Sequence, residues 1–123
     1  MKAIQTDKAP QAIGCYSQAV MADPWLFISG QIGIDPKTQT LVEGFGAQLK
    51  QVFDNLEQIL LASACSFAQV VKLQIYLVDL NHFTQVNEEM AQRFTLPYPA
   101  RATIQVSGLP KGALIEIDAV AKI

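Results

Sequence analysis

Charged side chains are scarce in this sequence. Only 16% of its 123 residues are Asp, Glu, Lys or Arg, against an ordinary share of about 25%. Half of the residues are hydrophobic, so the shortfall excludes a disordered chain and predicts that part of the surface is covered by other copies of itself. An excess of one sign is missing too: nine Lys and Arg stand against eleven Asp and Glu, a net charge of −2. No positive field exists to draw in nucleic acid or an anionic membrane, and neither is expected as a partner. Long apolar runs are absent, because the longest charge-free stretches, 9–22 and 58–71, are 14 residues each, short of the ~18 needed to span a bilayer. The first residues, Met1-Lys2-Ala3-Ile4-Gln5, reach Asp7 and Lys8 without an apolar signal core, which predicts a cytosolic protein. Cysteine is limited to Cys15 and Cys65, with no C-x-x-C spacing, and His82 is the only histidine. Two unbridged thiols and no metal site are expected. Cys15 has no adjoining cation or base and reads as a small buried filler.

What is present describes one continuous domain over residues 1–123. Trp25 to Ile34 alternates as a strand, with Leu26, Ile28 and Ile32 on one side and Phe27, Ser29 and Gln31 on the other, before a turn at Asp35-Pro36-Lys37-Thr38. From Gly46 to Ala64, Leu49, Val52, Phe53, Leu56, Ile59 and Leu60 recur at helical spacing. Val70 to Val78 alternates again. Asn81 then reads as the N-cap of a second helix carrying Phe83, Val86, Met90 and Phe94 on its apolar stripe, with Asn87 beside it. Arg101 to Val106 and Leu114 to Ile123 are two further strands. The order strand, helix, strand, helix, strand, strand indicates an α+β fold, a mixed sheet with both helices on one face. If the last two strands pair as an antiparallel hairpin with their apolar residues together, Arg101, Thr103 and Gln105 share the opposite face with Glu116 and Asp118. That polar but not uniformly polar face reads as the wall of an oligomer.

Several constellations admit a chemical and a structural reading. Arg101, at the start of a strand, either grips a substrate carboxylate with its planar fork or pairs with one of the two acids. Glu116 and Asp118 are two apart on one strand, about 7 Å at the backbone, too far for a shared-proton dyad. Their spacing suits an inverting glycosidase, but a short chain with one Trp offers little for a sugar cleft. Gly44-Phe45-Gly46 precedes a helix, yet Leu49 stands where a dinucleotide loop needs its third glycine. Gly30-Gln31-Ile32-Gly33 has no cation beside it to clamp a nucleic-acid backbone. His82 reads as a solvated residue at a helix start.

Taken together, Ile13 to Ala19, Ile28-Ser29-Gly30-Gln31, Val70-Val71-Lys72 with Val78-Asp79-Leu80, Phe83 to Asn87, Pro99-Ala100-Arg101-Ala102 and Ile115 to Ala119 resemble the Rid (reactive intermediate deaminase, YjgF-type) family. The resemblance implies a chorismate-mutase-like α+β fold and a homotrimer whose sheets form a central barrel, with sites in the clefts between subunits. It implies hydrolysis of 2-iminobutanoate and 2-iminopropanoate, formed from enamines released by pyridoxal-phosphate enzymes, to 2-oxo acids and ammonia. No cofactor of its own is implied. By the same resemblance Arg101 is the carboxylate-binding arginine of the arginine-containing RidA subgroup and Glu116 the acid that holds the attacking water. Tyr16, Ser29, Gly30, Asn87 and Thr103 line the pocket.

Three positions depart from the family pattern. Cys15 replaces a usual proline, Thr103 stands where many members have a cysteine, and Ala64 occupies a common helix-ending glycine site. The competing classes are a non-catalytic sensing or protein-binding trimer and a translation inhibitor or ribonuclease; no basic groove interleaved with aromatics favours RNA.

Overall fold

The computed structural model describes residues 1–123. Six strands form one sheet: β1 (Lys2–Ile4), β2 (Ala19–Ala22), β3 (Trp25–Ile32), β6 (Val70–Leu77), β7 (Ala100–Gln105) and β8 (Ile115–Lys122). Between β3 and β6 lie a small hairpin, β4 (Ile34–Asp35) with β5 (Thr40–Leu41), and the helix α1 (Phe45–Ala62). The second helix, α2 (Phe83–Arg93), connects β6 to β7. The strand order is β1-β2-β3-β8-β6-β7, with every pair antiparallel except β6 and β7. This is the mixed sheet with two helices on one face that the sequence predicts. Its two short N-terminal strands were not legible as strands.

The alternation rule explains which face is buried. Leu73, Ile75 and Leu77 of β6, Ile115 and Ile117 of β8 and Leu26 of β3 are wholly buried, and they meet Val52, Phe53, Leu56, Ile59 and Leu60 of α1. Fully burying a side chain of this size stabilises the fold by about 1.5 to 3 kcal/mol. α2 is held to α1 by ions as well as by Val86 and Met90. Glu89, buried, accepts from Arg93 at 2.8 Å and Lys50 at 3.2 Å, and Arg93 reaches Asp54 at 2.8 Å. Burial acts against the Glu89 carboxylate, but those two cations outweigh it and hold the carboxyl below its usual range.

The register corrects the expected hairpin of the last two strands. β8 lies between β3 and β6, whereas β7 lies at the sheet edge, parallel to β6. A strand that follows β6 through a crossover helix returns in the same direction and lands beside it, which an alternating pattern alone does not reveal. In that register Leu73, Ile75 and Leu77 stand next to Arg101, Thr103 and Gln105. Those three residues therefore lie on the helix face. Ala102 and Ile104 are on the open face, with Tyr76 next to Glu116 and Gln74 next to Asp118.

β3 departs from simple alternation. Ile28 pairs with Ala119 and Gln31 with Ile117, so three steps on β3 match two on β8 and one residue is extra. The bulge at Ser29 and Gly30 swaps the faces beyond it: Gln31 is turned inward at 5% exposure and Ile32 is carried to the open face beside Glu116. The strand also ends at Ile32, short of Ile34.

Other local expectations change for physical reasons. Asp79, not Asn81, is the cap: its carboxylate accepts from the Asn81 N–H at 2.9 Å and opens a single turn, Leu80–His82, that leads into α2. His82 is half-buried rather than fully solvated and stacks on Phe45, ring centroids 3.8 Å apart. Cys15 is exposed and Cys65 buried, both free. α1 ends in a Schellman motif, with Cys65 N–H donating to Leu60 O at 2.8 Å and Ala64 N–H to Leu61 O at 3.0 Å. Ala64 occupies the left-handed position, φ 57°.

Candidate active site

Arg101 is placed by two elements. β7 aims its side chain toward α2, where successive turns supply Phe83, Asn87 and Met90. Nη1 donates to Asn87 Oδ1 at 2.6 Å and lies 3.3 Å from Met90 Sδ. The guanidinium carbon stands 4.7 Å from the centre of the Phe83 ring. All three partners are uncharged, and Arg101 makes no ion pair within the chain. The structural reading of this arginine, a salt bridge with Glu116 or Asp118, is thereby excluded, because both acids are on the other face of the sheet. Beside the guanidinium opens a cavity of about 420 Å³ lined by Asn87, Met90, Ala91, Tyr98 and Pro99.

Glu116 belongs to a different surface. Its carboxylate lies over Gly30, so close that a Cβ built there would stand 2.8 Å from Glu116 Cδ. A side chain at position 30 would push this carboxylate aside. Burial, and then the charge of Asp118, push the Glu116 carboxyl above the usual range. Asp118 is likewise raised by burial, partly offset by the Tyr76 hydroxyl that donates to its Oδ2 at 3.0 Å. Glu116 itself makes no hydrogen bond within the chain, which leaves its oxygens able to accept one from a bound water.

A second cavity, about 380 Å³, runs past Gly30 and is lined by Tyr16, Ile13, Ile32, Gln39 and Lys111. The loop carrying Tyr16 is tied down by the bulge: Ser29 Oγ donates to Ser17 O at 2.6 Å and Ser29 N–H to Gln18 O at 2.9 Å. Gln18, buried, then holds Thr6 and Pro10 through its amide.

The structure therefore brings the sequence-derived residues together in two groups. Tyr16, Ser29, Gly30 and Glu116 cluster at the bulge of β3, while Arg101 and Asn87 cluster between β7 and α2. Thr103 joins neither: it faces the helices, and its hydroxyl is buried without a partner. Sequence reasoning missed Phe83, which it assigned to the core stripe, and Ile32, which the bulge moves to the open face. Tyr98 gave no pattern to read.

Comparison with known proteins agrees with this architecture. The family described as Endoribonuclease L-PSP matches residues 6–123. The chain belongs to this family, the Rid or YjgF-type proteins. Among Rid relatives, the human 2-iminobutanoate/2-iminopropanoate deaminase is 51% identical over 121 residues, 98% of this chain and 88% of that protein. The crystal structure of RidA from the Antarctic bacterium Psychrobacter sp. PAMC 21119 covers all of both chains at 48% identity and a TM-score of 0.97. TdcF from E. coli, solved with bound serine, is 33% identical with a TM-score of 0.93, covering 100% of this chain and 99% of its own.

Proposed function

We propose that this protein is a deaminase that hydrolyses 2-imino acids, 2-iminobutanoate and 2-iminopropanoate among them, to 2-oxo acids and ammonia. Residues 1–123 act as one domain in the cytosol, where enamines leave pyridoxal-phosphate enzymes. The observation that carries this reading is Arg101, a guanidinium held at a cavity by neutral partners alone. Such a group is poised for a ligand carboxylate. The name of the human relative points to the same substrates, and the serine bound by TdcF is a small molecule bearing the same carboxylate.

The chemistry asks little of the protein. An imine carbon is electrophilic, more so once its nitrogen is protonated, and water adds to it to give a carbinolamine that expels ammonia and leaves the 2-oxo group. Position and electrostatics suffice, with no covalent intermediate. Arg101 fixes the carboxylate, and Glu116 accepts a hydrogen bond from the water aimed at C2 and passes a proton toward the departing nitrogen. Tyr16 and Gly30 close the substrate's other side, and Asn87 holds Arg101.

Arg101 and Glu116 lie on opposite faces of one sheet, so a single subunit does not present both to one substrate. The reading therefore requires the Arg101 group of one subunit to meet the Glu116 group of a neighbour, as in a homotrimer. The open face suits that contact: Phe27 is 45% exposed and Ile104 50%, an apolar area out of place on a lone chain. One unpaired guanidinium with two raised acids favours a small carboxylate over RNA, which asks for a line of cations.

The test is ammonia release from freshly generated 2-iminopropanoate. Wild-type protein accelerates it; Arg101→Ala removes the acceleration while circular dichroism stays native, and Arg101→Lys restores little because a point charge lacks the fork. A charge-assisted pair of this kind is worth about 1.5 to 3 kcal/mol, roughly 10- to 150-fold in affinity. Binding of 2-oxobutanoate without turnover identifies a sensor instead, and wild-type rates in Arg101→Ala overturn the carboxylate role.

A further inference from the structure

Phe83 is the first residue of α2 and is 38% exposed, an unusual place for a phenyl ring that the helix pattern assigns to the core. It is not a member of the buried hydrophobic core. What covers its face is the Arg101 guanidinium, 4.7 Å from the ring centre. Phe83 does not line the cavity beside that guanidinium, so it is placed to act on Arg101 rather than on anything the cavity holds. Four residues along the same helix face, Asn87 Oδ1 takes Nη1 at 2.6 Å, and Met90 Sδ lies 3.3 Å from the same nitrogen. Nη1 is thus committed. Nε and Nη2 have no partner in the chain and form the one free edge of the fork.

We propose that Phe83 is a positioning residue for the carboxylate grip, a shelf that fixes the plane of the Arg101 guanidinium while Asn87 and Met90 fix its rotation, so that the Nε–Nη2 edge is presented to the substrate. This deepens the deaminase reading and rests on it. An arginine on an edge strand has four soft side-chain torsions and loses much freedom when it binds. Stacking on an aromatic face removes part of that freedom in advance and favours the cation electrostatically. A carboxylate bound side-on then makes two parallel hydrogen bonds without first reorienting its receptor. The carboxylate keeps its charge throughout the reaction, so the shelf stabilises bound substrate and transition state alike and governs KM rather than kcat.

The experiment compares wild type, Phe83→Leu, Phe83→Tyr and Phe83→Trp in steady-state deamination of 2-iminopropanoate, with 2-oxobutanoate binding measured by calorimetry on the same samples. Leucine keeps an apolar, helix-favouring residue but removes the ring face. It is expected to raise KM and the 2-oxobutanoate Kd together by about 2- to 30-fold, with kcat within about twofold of wild type. Tyrosine and tryptophan keep the face and are expected to restore both constants. Unchanged constants in Phe83→Leu overturn the proposal. So does a loss in Phe83→Tyr and Phe83→Trp as large as in Phe83→Leu, or a fall in kcat that matches the rise in KM, since either marks a packing role. Failure of the deaminase reading is separate and shows in the wild-type protein, which would then not turn over the imine.

Discussion

Glu116 is an acid made reluctant to ionise. Burial and the neighbouring Asp118 charge raise its carboxyl above the usual range, while the proposed chemistry uses it as a hydrogen-bond acceptor for water, the ionised form. The acid limb of kcat/KM is therefore expected above the ordinary glutamate range, with activity falling as pH drops through it. Asp118→Asn removes the like charge and moves that limb to lower pH with turnover at the plateau near wild type. Glu116→Gln lowers turnover by about 10²-fold, toward the lower end for general acid–base assistance, with KM little moved. Steady-state profiles of the two variants, each checked for native assembly, decide between them: equal, near-wild-type plateaus would leave Glu116 as lining only. Stability follows the opposite sign. An acid whose native carboxyl is raised binds more protons folded than unfolded, so whatever stability Glu116 and Asp118 withhold at neutral pH returns as pH falls through that raised value toward the ordinary one of the unfolded chain.

At the scale of elements, the end of α1 offers the plainest stability test. Ala64 sits at φ 57° in the Schellman turn, where a Cβ meets the following carbonyl. Ala64→Gly is expected to stabilise the fold by about 1 kcal/mol, read as a rise in Tm, and no rise would mean the turn has relaxed around the methyl group. The family resemblance alone marked this position; both helices and the strands β3, β6, β7 and β8 were legible in the sequence itself, because each has a periodic apolar pattern long enough to count. What escaped the sequence were relations between elements. β1 and β2 are three and four residues long and exist by pairing. The bulge at Ser29 and Gly30 is a mismatch of count between two strands, invisible on either one. The side on which Arg101 lies depends on β7 joining β6 rather than β8, a choice made by the crossover through α2 and not by the alternation within β7.

For the whole molecule, the two halves of the site make one sharp demand. If Arg101 and Glu116 meet only across subunits, a mixture of Arg101→Ala and Glu116→Gln chains, each strongly impaired alone, regains activity once the subunits exchange. Random assembly of equal amounts into cyclic trimers gives each cleft about a one-in-four chance of receiving both intact groups, so roughly a quarter of wild-type activity is the expected recovery, with light scattering reporting a trimer. No recovery after verified exchange would place both groups in one subunit's site or remove one of them from it. The same division of labour across the sheet makes dilution an inhibitor. If the site is divided in this way, a free chain below the concentration at which trimers dissociate carries Arg101 and Glu116 on opposite faces and has no working centre, so specific activity is expected to fall steeply with total protein by mass action alone.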